Sequence, residues 1–319
     1  MSTKVSVPIR KKTIWQILWK QRVLIFMSVP FLLHRILFSY VPITGWTMAF
    51  QRYRPAIRSM WEQEWIGLDH FMMLLTGPIS PEFRRAVVNT LGQASLSLLT
   101  GTIGTIFLSL MLNELRQVGA KRIIQNILYL PHFLSMVIIA GLASTALGLP
   151  ISGGIINQLL LNLRIISEPI LFLGEPNYFW PIIAGVNLWR SVGWGTIIYL
   201  AAMTGIDPAL YEAAEVDGAN RYQKMWFITL PGIKPTIIIL LIMNLGWILN
   251  AGFELQLLLM NGLNRSRADI LDTFVLRYGI ELGNFGLATA AGIMRTFVAV
   301  FMVLTANLIA KLLGQERLI

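Results

Sequence analysis

Two kinds of residue in this chain could do chemistry: carboxylates in a polar segment, and ionisable or amide side chains within apolar runs. Glu212 and Glu215 stand three residues apart, a spacing that puts two carboxylates on one helical face. They lie beside Arg221 and Lys224 between apolar runs, so docking or solvated charge is a better reading than acid–base catalysis. His34, His70 and His132 are far apart and show no ligand spacing. The absence of cysteine excludes disulfides, thiolate zinc sites and cysteine nucleophiles. No HExxH zinc motif and no nucleophile elbow occurs. Inside the apolar runs stand Asn187, Arg190, Asn244, Asn250, Glu254 and Arg295. Ionisable groups in such runs are expensive and face a cavity or a partner. Asn250 and Glu254 share a helix face by their four-residue spacing. Amides and arginine supply hydrogen bonds, and Trp189, Trp194 and Trp247 supply flat apolar faces, a combination that suits a sugar. The same groups equally suit bonds between helices, and the tryptophans suit interfacial belts. Arg190 and Arg295 would match an acidic sugar, unless Glu254 neutralises one of them.

The elements that must position these residues follow from composition. Of 319 residues, 55% are hydrophobic and only 13% are charged, against roughly a quarter charged in soluble domains. Lipid is therefore the natural solvent for much of the chain. The net charge of +10 does not point to nucleic acid, because the basic residues sit between apolar runs rather than in one patch. A transmembrane helix needs about 20 mostly apolar residues. Six stretches qualify, at about 23–43, 87–112, 123–147, 178–203, 236–257 and 287–313. The expected fold is an all-α polytopic membrane helical bundle, one transmembrane domain over 23–313. A short arm (1–22) precedes it, and a tail (314–319) follows. The start of the first span is the least regular, since Pro30, His34 and Arg35 interrupt it. The arm is polar and basic, and the apolar run after it lacks a small-residue cleavage site, so that run is expected to be retained. Within the arm, Thr13–Trp19 suits an interfacial helix.

All eight lysines fall on one side of a six-span model. The positive-inside rule then makes that side the cytoplasm, with both termini inside. The first outer loop, about 44–86, carries Arg52, Arg54, Arg58, Arg84 and Arg85, largely balanced by Glu62, Glu64, Asp69 and Glu82. The second, about 148–177, contains an apolar run at 157–165 that is too short to span and is expected to dip into the outer mouth. The loop between spans four and five, 207–233, reads as a compact helix–turn–helix. Asp207 caps, Pro208 takes the first position, Gly218 ends the first limb with positive φ, and a second limb runs from Asn220 to Trp226. Ala213, Ala214 and Ala219 are small enough for close packing against a partner.

Glu212-Ala213-Ala214, Gly218, and then Ile228, Leu230 and Pro231 resemble the "EAA" loop of bacterial binding-protein-dependent ABC importers. Trp65–Phe71, Asn89-Thr90-Leu91, Tyr129-Leu130-Pro131, Trp189, Gly193-Trp194, Ala201–Pro208, Asp269–Thr273 and Tyr278-Gly279 extend the resemblance over most of the chain. They are similar to the subgroup that imports oligosaccharides and polysaccharide fragments, including the first permease subunit of alginate importers. The pair His34-Arg35 departs from that pattern.

The resemblance implies a transport subunit of the bacterial inner membrane, not an enzyme. Its loop would couple to a separate ATPase through Glu212, Ala213, Ala214, Glu215, Asp217, Gly218, Arg221, Ile228, Leu230 and Pro231. No Gly-Lys dipeptide and hence no Walker A pattern occurs, so ATP and Mg are expected on two partner ATPase subunits and no cofactor on this chain. Further implied partners are a second homologous permease, an extracytoplasmic solute-binding protein and a carbohydrate, with an acidic one such as alginate among the candidates, and lipid around the bundle. An ion-coupled secondary transporter would need intramembrane carboxylates, and only Glu254 stands out. A membrane scaffold that recruits an ATPase without transporting is separable only by uptake.

Overall fold

The computed structural model describes residues 19–57, 59–247 and 253–312. Within them the regular structure is helical apart from one two-residue antiparallel ladder, β1 (Gln51–Arg52) with β2 (Glu64–Trp65). The interfacial helix expected over Thr13–Trp19 (save Trp19 itself) and the 314–319 tail lie outside the described residues.

The first helix is longer than the expected 23–43. α1 (Arg22–Arg35) continues through a π turn (Ile36–Tyr40) into a 3-10 stretch that ends at Phe50. Pro30 and the His34-Arg35 pair do not break it. No residue of α1 is buried within the chain. The segment expected to loop from 44 to 86 is largely structured. Two buried amides tie part of its backbone together. Gln51 donates to the Met60 carbonyl, while Gln63 donates to the carbonyls of Arg54 and Ile57 and accepts from Arg54 N–H. α2 (Asp69–Leu75) follows, and α3 (Ser80–Asn113) starts seven residues before the expected second span, with Pro81 in its first turn.

The third expected span is not one straight helix. α4 (Val118–Tyr129) passes through a 3-10 turn (Leu130–Phe133) into α5 (Met136–Ala146), and the two halves meet at 102°. Pro131 has no N–H to continue the ladder, Leu134 and Ser135 are extended, and Ser135 caps α5 by accepting from Ile138 N–H. The apolar run at 157–165 forms α6 (Ile155–Asn162). α7 (Pro176–Thr204), α8 (Pro208–Val216), α9 (Arg221–Lys224), α10 (Lys234–Trp247), α11 (Phe253–Leu259), α12 (Arg265–Ala268), α13 (Leu271–Leu276) and α14 (Phe285–Leu312) complete the chain. The fifth expected span, 236–257, corresponds to α10 and part of α11, with 248–252 outside the described residues.

By length and composition, three helices among the described residues can cross a membrane, or five if each of two bent pairs counts as one span. The second bent pair is 221–232 with 234–245, at 55°. α7 is 29 residues long and less apolar, with Asn187 and Arg190 in it; counted with these, it makes the total roughly consistent with the expected six. α3 and α7 pack along each other as the central pair, and α14 packs against α10, α13 and the end of the first helix. One core cluster joins Leu110, Tyr199, Met203 and Ile233 beneath the 207–233 segment. Another joins Ala49, Leu74, Phe83, Phe274 and Leu287 at the opposite end.

That opposite end is clasped by side chains. The Asn89 amide donates to the carbonyls of Ser266 (3.0 Å) and Asp269 (2.8 Å), and Leu271 N–H donates to Thr90 Oγ1 (2.9 Å). Trp180 Nε1 donates to the Arg267 carbonyl. Arg277 pairs with Asp269 at 2.8 Å and Glu82 at 3.2 Å, and Thr273 donates to Asp269. Burial pushes the Asp269 carboxyl up, and the Thr273 hydrogen bond opposes that rise.

Candidate functional site

The 207–233 segment is built by local chemistry. The Asp207 carboxylate accepts from Ala209 N–H at 2.9 Å and caps α8, with Pro208 in the first position. Gly218 sits at φ +77°, and Ala219 N–H closes the turn on the Ala214 carbonyl at 2.8 Å. Asn220 then caps α9 by accepting from Tyr222 and Gln223 N–H, while Gln223 Oε1 accepts from Asn220 N–H. The second limb runs further than Trp226. It continues through a π segment (Met225–Thr229) and a last turn (Leu230–Gly232), because Leu230 and Ile233 are drawn into the core under Leu110, Tyr199 and Met203.

Two bonds join the limbs. Lys224 Nζ lies 2.5 Å from Glu215 Oε1, and the Tyr211 hydroxyl lies 2.9 Å from Thr229 Oγ1. The Lys224 hydrogen bond and charge, with a smaller contribution from Arg116, hold the Glu215 carboxyl below its ordinary range. Glu212, Ala213 and Asp217 remain exposed on α8 and its end, and Val216 is 89% exposed. Arg221 and Pro231 are exposed, and Ile228 and Leu230 are half-buried. The first limb thus presents carboxylates and the apolar Val216 outward, while the second limb presents Arg221 with Tyr222, Trp226 and Phe227. No nucleophile–base pair occurs in the segment.

A second feature is a cavity of about 450 Å³ between α3, α7 and α10. It gathers four of the residues singled out from sequence: Asn187, Arg190, Trp194 and Asn244. Arg190 Nε is buried without a partner, as is Ser97 Oγ on the facing wall, and no carboxylate pairs with Arg190 among the described residues. His132 stacks flat on Trp194, centroids 4.6 Å apart, and Phe133 meets the same ring edge-on. One face of Trp194 is therefore taken.

The other sequence candidates lie elsewhere. Trp189 is exposed and outside the cavity, and Glu254 is exposed on α11. Arg295 is ion-paired with Asp272 of α13, so a residue outside the spans neutralises it, not Glu254. The Trp247 side chain and Asn250 lie outside the described residues. Sequence reasoning weighed His132 only as a metal ligand and passed over Ser97, Tyr211 and Thr229. Only His132, next to Pro131 at a helix break, carried a readable signal.

The model of the family described as "Binding-protein-dependent transport system inner membrane component" matches residues 101–316. Two relatives from Bacillus subtilis (strain 168) are each 41% identical. One is protein LplB, over 92% of this chain and 90% of its own. The other is the polygalacturonan/rhamnogalacturonan transport system permease protein YteP, over 93% and 90%. The crystal structure of a bacterial ABC transporter involved in the import of the acidic polysaccharide alginate contains a chain 40% identical to this one. It superimposes with a TM-score of 0.84 over 94% of this chain and 99% of that one. The bacterial alginate ABC transporter in complex with its alginate pentasaccharide-bound periplasmic protein gives 38% identity and a TM-score of 0.85, over 96% and 100%.

Proposed function

The chain belongs to the family of inner membrane components of binding-protein-dependent transport systems, and from that premise we propose that it carries an acidic oligosaccharide through the Arg190 cavity. That it is a permease subunit of an ABC-type sugar importer, embedded in the membrane and without enzymatic activity, follows from the matches above. The rest is our reading. The 207–233 segment faces the cytoplasm, as do both termini, and receives the stroke of two ATPase subunits that hold ATP and Mg. A second, homologous permease supplies the other wall of the pathway and covers part of the unburied α1. A solute-binding protein delivers the sugar at the opposite end.

One observation carries the cargo assignment: a guanidinium in the membrane part of the bundle, on a cavity wall, with no anionic partner among the described residues. An arginine at the centre of a membrane helix costs about 2.5–3.5 kcal/mol on insertion scales and needs something to face. A uronate carboxylate passing through would face it, with Asn187 and Asn244 to bond hydroxyls and the free side of Trp194 to meet a ring. The alginate importer is a neighbour in structure whose cargo is acidic, which supports the same reading. Transport by alternating access then requires only that the sugar bind the outward and inward states differently.

The test is uptake into vesicles carrying the whole complex, with a uronate oligomer and a neutral oligomer of equal length. Arg190→Ala should lower uronate uptake about tenfold or more, the loss of one charge-assisted bond, and leave neutral uptake nearly unchanged. Arg295→Ala, which breaks the pair with Asp272, should lower both equally through assembly. An Arg190→Ala complex that keeps its preference for the uronate would sink the assignment.

A further inference from the structure

We infer that Tyr211 and Thr229 are positioning residues that weld the two limbs of the 207–233 segment into one lever, so that ATPase movement reaches the spans instead of being absorbed at Gly218. The inference rests on the coupling role given above to this segment.

The turn between the limbs is the weak point of any such lever. Gly218 has no side chain to restrict it and sits at φ +77°. A push on α8 that travelled only through 217–220 would bend there. The two cross-limb bonds bypass the turn. Glu215–Lys224 lies next to it, and Tyr211–Thr229 lies one helical turn further out on α8. The second bond exists because of the π segment. Lys224 and Thr229 are five residues apart, and in a regular α-helix that spacing turns the second side chain about 140° away from the first. The wider π turn over Met225–Thr229 brings Thr229 round to the Lys224 side, where its Oγ1 lies 3.5 Å from the Lys224 carbonyl and 2.9 Å from the Tyr211 hydroxyl.

Thr229 is also where the lever enters the bundle. It is 1% exposed, and Leu230 and Ile233 follow it into the cluster with Leu110, Tyr199 and Met203 of α3 and α7. Gly232 lies against the Ile206 side chain, at the end of α7. A displacement carried by Tyr211 thus arrives at the junction of three spans without passing Gly218.

The experiment reconstitutes the full complex in liposomes and measures sugar taken up per ATP hydrolysed. Tyr211→Phe keeps the ring and removes the bond. It should retain the ATPase at wild-type stoichiometry and lower the ratio about twofold to tenfold, the range that one hydrogen bond of ordinary net strength spans. Thr229→Val should behave alike, and Thr229→Ser, which keeps the hydroxyl, should restore the wild-type ratio. A merely structural role would lower uptake and hydrolysis together and leave the ratio alone. That result, or an unchanged ratio in Tyr211→Phe, overturns the inference. If the unmodified chain binds no ATPase through this segment, the coupling role itself falls, and the lever with it.

Discussion

Glu215 shows how a single exposed carboxylate can report on the geometry of the loop. Lys224 and, more weakly, Arg116 favour its charged form, so its folded-state pKa is depressed. The sign of the linkage follows. The ion pair contributes at pH above the ordinary glutamate range, and that contribution disappears as pH falls through the lowered value. Both partners reach solvent, so the pair acts as a latch between limbs more than as a source of stability. We expect carbon-detected NMR of a Glu-labelled sample in nanodiscs to show the Glu215 midpoint below the ordinary range. Lys224→Met should move it upward. A midpoint that ignores Lys224→Met would mean that the limbs are not joined there. Arg190 is the opposite case, a charge with no carboxylate paired to it among the described residues.

Among the elements, those shaped by near neighbours were legible from sequence and those shaped by distant ones were not. Asp207, Pro208, Gly218 and Asn220 act within three residues of themselves, and the structure places the caps and the turn where those types imply. The extra length of the second limb was hidden, because its contacts are distant in sequence: Leu110, Tyr199 and Met203 take Leu230 and Ile233 into the core, and Tyr211 meets Thr229 from 18 positions back. The bend in the third span was hidden by hydropathy, which runs on through Pro131 and Ser135 as if the helix were straight. For Arg295 the sequence offered Glu254 as a neutralising partner and hid Asp272, which belongs to a different element. The bend has a consequence at Gly193. α4 lies so close to α7 that a Cβ on Gly193 would stand 2.0 Å from the Leu128 carbonyl oxygen. Backbone cannot yield as a side-chain tip does, so the helices must part. Gly193→Ala should cost about 1–3 kcal/mol in a detergent unfolding titration. It should also disturb the His132–Trp194 stack, readable as a change in tryptophan fluorescence. An alanine variant of unchanged stability and spectrum would show that the contact is slack.

At the scale of the molecule, the two ends differ in how they are held. The 207–233 end is a lever with a glycine turn, seated on the bundle through Thr229 and Ile233. The opposite end is tied across long sequence distances, since Asn89 and Thr90 of α3 hold backbone some 180 positions later. This gives a physical reason for the Asn89-Thr90 and Asp269–Thr273 motifs that carried part of the family resemblance: they are two halves of one clasp. Asn89 is 1% exposed and satisfies two buried carbonyls with its amide nitrogen. Asn89→Ala leaves both acceptors without that donor and should cost about 2–3 kcal/mol. Thr90→Val removes the acceptor of Leu271 N–H and should cost about 1–3 kcal/mol on the same grounds. Because both bonds hold one segment, the double variant should cost less than the sum, by about 0.5 kcal/mol or more. Hydrogen exchange over 264–273 should rise in every variant, while exchange in α8 and α9 stays at the wild-type rate. Full additivity, with exchange raised equally at both ends, would mean that the molecule loosens as a whole and has no separate clasp.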